Sequence, residues 1–131
     1  MIVYVRTAEG TFAIDVENEL VLGDSDEEVA PESVELVLPL LVGASASGSA
    51  VIALVDRRPP LLLSGDGGTT WREAGGGLPA GFAVAVDPEN PDRVLYAARN
   101  RLYLSVDGGR FWRSLAPELP DIEAVAWSTG S

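Results

Sequence analysis

The chain has 131 residues, 20 acidic and nine basic, for a formal net charge of −11. All nine basic residues are arginine, and Lys, His and Cys are absent. That composition excludes Schiff-base lysines, Ser-His-Asp triads, imidazole or thiolate metal sites and disulfides, and leaves carboxylates, Tyr, Ser/Thr and Arg as possible catalytic groups.

Nearly half the residues are apolar, enough for one domain with a real core. An acidic surface of this size repels phosphate backbones and anionic lipid, so neither nucleic acid nor membrane is expected as a partner. No cofactor is expected either. In chain order, Met1–Arg6 is apolar but too short for a signal peptide and has no charged segment before it. It points to a cytoplasmic protein, or to an extracytoplasmic one if the chain is a trimmed mature form. Ile2–Val5 and Gly10–Ile14 read as strands. Residues 15–33 form an acidic loop: the stretch 15–35 holds nine acidic residues and no basic one. A cation site there is the alternative to a plain solvated loop.

Residues 36–55 carry no charge, but Gly43–Ser49 interrupts them with small polar residues. That pattern predicts two buried strands joined by a turn rather than a membrane helix. The run continues with strands at 34–42, 50–55, 61–64 and 70–74. A second run has strands at 82–86, 94–98, 102–105 and 111–115. No stretch shows the 3.6-residue periodicity of a helix.

Residues 61–86 and 102–127 align without a gap and agree at 13 of 26 positions, with an offset of 41. Repeats near 40 residues, each of four short strands, are the signature of propeller blades. Within the repeat stand Ser64-Gly65-Asp66-Gly67-Gly68-Thr69-Thr70-Trp71 and Ser105-Val106-Asp107-Gly108-Gly109-Arg110-Phe111-Trp112. These octapeptides resemble the Asp-box, or bacterial neuraminidase repeat. The second departs at Phe111, where Thr is usual. Similar repeats occur in sialidases, sortilin-type receptors, xyloglucan-degrading hydrolases and a photosystem II assembly factor. The resemblance implies an all-β propeller of four-stranded antiparallel blades.

The box residues are Ser64, Asp66, Gly68 and Trp71, with Ser105, Asp107, Gly109 and Trp112. Their expected role is structural. An Asp side chain accepts backbone N–H bonds inside a turn, Gly takes the positive-φ position, and Trp buries a ring. Calcium is not expected there, because too few oxygens converge.

Residues 123–127 repeat 82–86 and read as an innermost strand, while Ile2–Val5 resembles Val94–Ala97. The chain is thus a single domain of three blades: a split blade from 1–21 and 123–131, a blade at 34–74 and another at 82–115. Three blades are too few to close a ring. A two-fold homodimer, each C-terminal strand completing the other chain's split blade, would give six; the alternative is that the chain is a piece of a longer propeller.

Arginines recur at the turn between the second and third strands: Arg6, Arg57, Arg58, Arg99 and Arg101. They are the candidate binding residues for an anionic ligand, glycan or protein partner. The expected function is a non-enzymatic binding or scaffold propeller. The alternative is a glycan-active hydrolase, sialidase-like or xyloglucanase-like. Asp56 and Glu123 are possible carboxylates for it, but no spacing selects a pair. Tyr4, Tyr96 and Tyr103 are expected to pack in strands.

Overall fold

The computed structural model describes residues 1–30, 34 and 36–128. Twelve strands run in chain order: β1 (Ile2–Thr7), β2 (Gly10–Asp15), β3 (Leu20–Asp24), β4 (Leu41–Ser47), β5 (Ala50–Val55), β6 (Leu61–Ser64), β7 (Arg72–Ala74), β8 (Ala83–Asp87), β9 (Asn90–Ala97), β10 (Leu102–Ser105), β11 (Arg113–Ser114) and β12 (Ile122–Trp127). They form three four-stranded antiparallel sheets with no helix among the described residues.

The first blade is β4-β5-β6-β7, the second β8-β9-β10-β11, and the third β12-β1-β2-β3. The last joins the two ends of the chain, so one blade is split. Its closure, however, is within one chain: β12 pairs with its own β1, with Val3 opposite Trp127 and Val5 opposite Val125. An exchange of β12 between two chains would form this same ladder. The C-terminal strand finds the same ladder hydrogen bonds at home.

The blades stack as a fan with the second in the middle. Ile52, Leu54, Leu61 and Leu63 of the first blade pack on Val84, Val86, Val94 and Tyr96 of the second. Ala85, Leu95, Ala97, Leu102 and Leu104, on the other face of the second blade, pack on Val3, Val5, Ile14, Val125 and Trp127. Alternate residues of β9 thus feed opposite cores, as a two-residue period requires.

The ladder corrects the sequence alignment by one residue. Val5 pairs with Val125 as Tyr96 pairs with Val84, so Val3 matches Val94, not Leu95. A one-residue slip would turn Val3 and Val5, both fully buried, to the opposite face.

Two strands also lie away from their expected places. β4 occupies Leu41–Ser47, where a strand over 34–42 and a turn over 43–49 were expected; the turn is confined to Gly48 and Ser49. The small residues serve close approach rather than a turn. Inner strands β4 and β8 lie side by side, and the fully buried Ser45 Oγ accepts the Val86 amide at 2.8 Å. β3 lies inside the expected acidic loop. All five of its residues are exposed, so burial imposed no apolar alternation on one face.

The outer face of the first blade carries Ala53, Val55 and Leu62, covered by Leu36, Leu38, Leu41 and Trp71 of the same chain. At the other end, Val29 is buried, and its carbonyl accepts Arg6 Nη1 at 2.8 Å. No helix of the described residues is long and apolar enough to cross a membrane.

Candidate functional site

Both Ser-x-Asp-x-Gly turns are closed by their own side chains. In the first, Asp66 Oδ1 accepts the Ser64 hydroxyl (2.7 Å), the Thr69 amide (3.1 Å) and the Thr70 amide (2.9 Å), and Oδ2 accepts the Thr70 hydroxyl (2.6 Å). Ser64 Oγ in turn accepts the Gly68 amide at 2.8 Å. In the second, Asp107 Oδ1 accepts Ser105 Oγ (2.7 Å) and the amides of Arg110 (3.2 Å) and Phe111 (3.0 Å). Phe111 has no hydroxyl, so nothing replaces the fourth bond.

Gly67 and Gly68 take φ of 74° and 97°, and Gly108 and Gly109 take 78° and 97°. That explains glycine at both paired positions. Hydrogen bonding, first from the Thr70 hydroxyl, holds the Asp66 carboxyl far below the usual carboxylate range. Asp107 is lowered too, chiefly by the Phe111 amide. A carboxylate so occupied is a poor proton donor or acceptor.

The tryptophans differ. Trp112 donates Nε1 to the Gly109 carbonyl (2.9 Å) and meets Tyr96 edge-on at 5.8 Å, between the first and second blades. Trp71 lies on the outer face of its blade with Leu36 and Leu38. Both are half-buried. In the split blade, Asp15 builds a related turn, accepting the Glu17 and Asn18 amides (3.0 and 3.3 Å) and Asn18 Nδ2 (2.7 Å). Glu19 then reaches the second blade, pairing with Arg113 at 3.0 Å and accepting the Ala116 amide at 2.7 Å.

At the opposite ends of the strands lie the arginine turns, one per blade. Each contains an arginine that donates to carbonyls of the segment leaving that blade's outer strand. Arg6 reaches Val29, Arg58 reaches Leu78, and Arg101 reaches Leu115 (3.0 Å) and Ala116 (3.1 Å). This shared task accounts physically for the recurrence of arginine there. Carboxylates engage the rest: Arg6–Glu123 at 3.1 Å, Arg57–Glu73 at 3.8 Å, Arg99–Asp121 at 3.2 Å and Arg101–Glu118 at 3.1 Å. Among the described residues, Arg57 and Arg99 have only these side-chain partners, and both pairs are exposed.

These turns surround the ends of the inner strands. Counting from the ladders, Val42 of β4, Phe82 just before β8 and Glu123 of β12 occupy equivalent positions. Phe82 is 51% exposed and Val42 49%. With Gly43, Ala83 and Ala124 they line a shallow cleft of about 100 Å³. Of the carboxylates considered for catalysis, Glu123 is bound to Arg6, and Asp56 lies on a separate cleft with Arg57 and Arg58. No group of three or more Asp and Glu side chains among the described residues could hold a metal.

Two arginines escaped the sequence reading. Arg72 and Arg110 follow or sit within the Ser-x-Asp turns and line a cleft of about 420 Å³ between the first and second blades. Their signal was local. Arg110 lies inside the second turn and Arg72 directly after the first.

No protein-family model matches the chain, and no curated protein does. Among solved structures, it is similar to "YCF48 bound to D1 peptide", with a TM-score of 0.52 and 16% identity over 91% of this chain and 37% of that one. It is also similar to the GH74 enzyme of Niastella koreensis, with a TM-score of 0.48 and 20% identity over 86% of this chain and 17% of that one. The chain spans little more than a third of the first of these and about a sixth of the second. Together with the three four-stranded blades, the likeness to the first of these shows that the chain has the β-propeller fold.

Proposed function

We propose that the protein is a non-enzymatic binding or scaffold propeller of the Asp-box type, and that it receives a protein partner at the mouth formed by β4, β8 and β12. The observation that carries this reading is the exposed Phe82 and Val42 at equivalent positions, with arginine turns around them. An apolar centre with an arginine-bearing rim is the anatomy of a protein interface. Arg57 and Arg99 are suited to the rim. Their exposed ion pairs stabilise the free protein by about 1 kcal/mol or less, so acidic groups of a partner can replace Glu73 and Asp121 at small cost. The YCF48 chain of similar fold carries a bound peptide, which supports a peptide-binding role for such blades.

The test is binding of immobilised peptides to the wild type, Phe82→Glu and Arg57→Gln/Arg99→Gln. Peptides with an apolar residue flanked by acids should be retained by the wild type and lost from Phe82→Glu. The double arginine variant should lose the preference for acidic flanks. Equal retention by all three proteins refutes the reading. Turnover of fluorogenic sialosides or β-glucans, abolished by one carboxylate substitution, establishes the hydrolase instead.

A further inference from the structure

Among the described residues, seven of the nine arginines have an internal partner. Arg6, Arg57, Arg93, Arg99, Arg101 and Arg113 pair with carboxylates, and Arg58 with a carbonyl. The side chains of Arg72 and Arg110 make no hydrogen bond or ion pair there. In a chain with 20 acidic residues and a net charge of −11, two unpaired guanidiniums are unexpected. Both line one cleft, at the Ser-x-Asp turns and away from the mouth.

Glu73, next to Arg72 in sequence, pairs instead with Arg57 at 3.8 Å. Asp107, the carboxylate nearest Arg110 in sequence, gives its Oδ1 to the Ser105 hydroxyl and to the Arg110 and Phe111 amides. We infer that this cleft is a binding site for a small organic carboxylate with an apolar side chain, its charge taken by Arg72 and Arg110.

Each part of that ligand has a matching wall. Guanidiniums bind carboxylates through paired N–H donors. Val51, Leu63 and Trp71 line the same cleft and offer apolar surface. Asp92 lies there too and can accept an N–H or O–H of the ligand. Its negative charge also discriminates among oxyanions, disfavouring a doubly charged phosphate more than a carboxylate. Because the cleft lies at the other end of the strands, this inference stands or falls independently of the proposed partner mouth.

The experiment is an NMR titration of the whole chain, following Arg Nε–Hε and backbone amide signals. The probes are N-acetylleucine, its uncharged amide and inorganic phosphate. N-acetylleucine should saturate with a Kd near about 1 mM and shift residues 64–72 and 108–110. The amide should bind at least about tenfold more weakly. Arg72→Gln/Arg110→Gln should lose the response while keeping the wild-type melting temperature. Asp92→Asn should tighten N-acetylleucine and narrow the preference over phosphate. Equal affinity for acid and amide, no saturable response below about 20 mM, or an unaffected double variant overturns the inference. Phosphate binding more tightly than N-acetylleucine overturns the carboxylate assignment.

Discussion

Gly81 lies immediately before Phe82, where the chain turns into the innermost strand of the middle blade. A Cβ at this position would overlap the hydroxyl and ring of Tyr96, with Cε2 only 2.8 Å away. Tyr96 cannot withdraw into solvent. It is fully buried, donates its hydroxyl to the Pro79 carbonyl at 2.7 Å, and is flanked edge-on by Tyr103 and Trp112. Burial raises its pKa to about 12, so it remains a neutral donor across the working pH range. Gly81→Ala therefore forces the ring to shift or the backbone to open. Overpacking costs about 1–3 kcal/mol. Losing the buried hydroxyl bond adds about 1–3 kcal/mol if the Pro79 carbonyl is left unsatisfied. Each kcal/mol lowers the melting temperature of a domain this size by about 4 °C, so a fall of about 10 °C or more is expected in circular dichroism. Tyr96→Phe alone removes only the hydrogen bond. Combined with Gly81→Ala, it also removes the hydroxyl from the overlap, so the double variant should melt above Gly81→Ala. A Gly81→Ala melting temperature within about 1 °C of wild type, or strictly additive effects in the cycle, would refute the packing argument.

Other consequences can be measured the same way. Asp66 and Asp107 have folded-state pKa values below the unfolded value of about 3.9. Their contribution is complete above the unfolded value and is lost as pH falls through the folded values. The melting temperature should be flat from pH 7 to about pH 5 and fall below about pH 4, with a shallower fall in Asp66→Asn/Asp107→Asn from a lower plateau. Phe111→Thr should raise the melting temperature by giving Asp107 the hydroxyl that Thr70 gives Asp66; no rise would count against that bond. Ser45→Ala removes the acceptor of the Val86 amide between two inner strands and should cost about 1–3 kcal/mol in denaturant unfolding. Leu36 and Leu38 cover the outer face of the first blade. Light scattering of the wild type at micromolar protein should therefore give a monomer, and Leu36→Ser/Leu38→Ser a larger species; a wild-type dimer would show that a second copy displaces that cover.

The parts of the fold legible in the sequence were those determined by neighbours in the chain. The Ser-x-Asp-x-Gly turns are bonded within five residues, so their chemistry is written locally. The split blade was legible because Glu123–Trp127 repeats Phe82–Val86. Register was not. Ile2-Val3-Tyr4-Val5 is apolar at every position, and only long-range packing decides which residues point at the second blade. The inner strand β4 was obscured because Gly43–Ser47 has the composition of a loop. Its small side chains answer to the adjacent strand β8, which begins some forty residues away. The arginine turns were found, but not their partners. Arg6 and Glu123 are 117 residues apart, a proximity no local pattern records.

The same distinction separates the two ends of the fan. On the face of the second blade that meets the third, the positions are Leu95, Ala97, Leu102 and Leu104, all buried. Carried through the ladders to the third blade, those positions become Tyr4, Arg6, Thr11 and Ala13, all only half-buried. Repeats that face another repeat keep an apolar surface, while a repeat that faces water trades it for polar and small residues. The first blade keeps Ala53, Val55 and Leu62 on its corresponding outer face and covers them with Leu36 and Leu38 from its own chain. One end is thus polar by substitution and the other is covered by a segment of the same chain. A six-blade ring of two chains would bring the polar face of one onto the covered face of the other. Phe82 and Val42 stand exposed at one end of the strands, and Arg72 and Arg110 line the cleft at the other, so binding is to be sought at both ends.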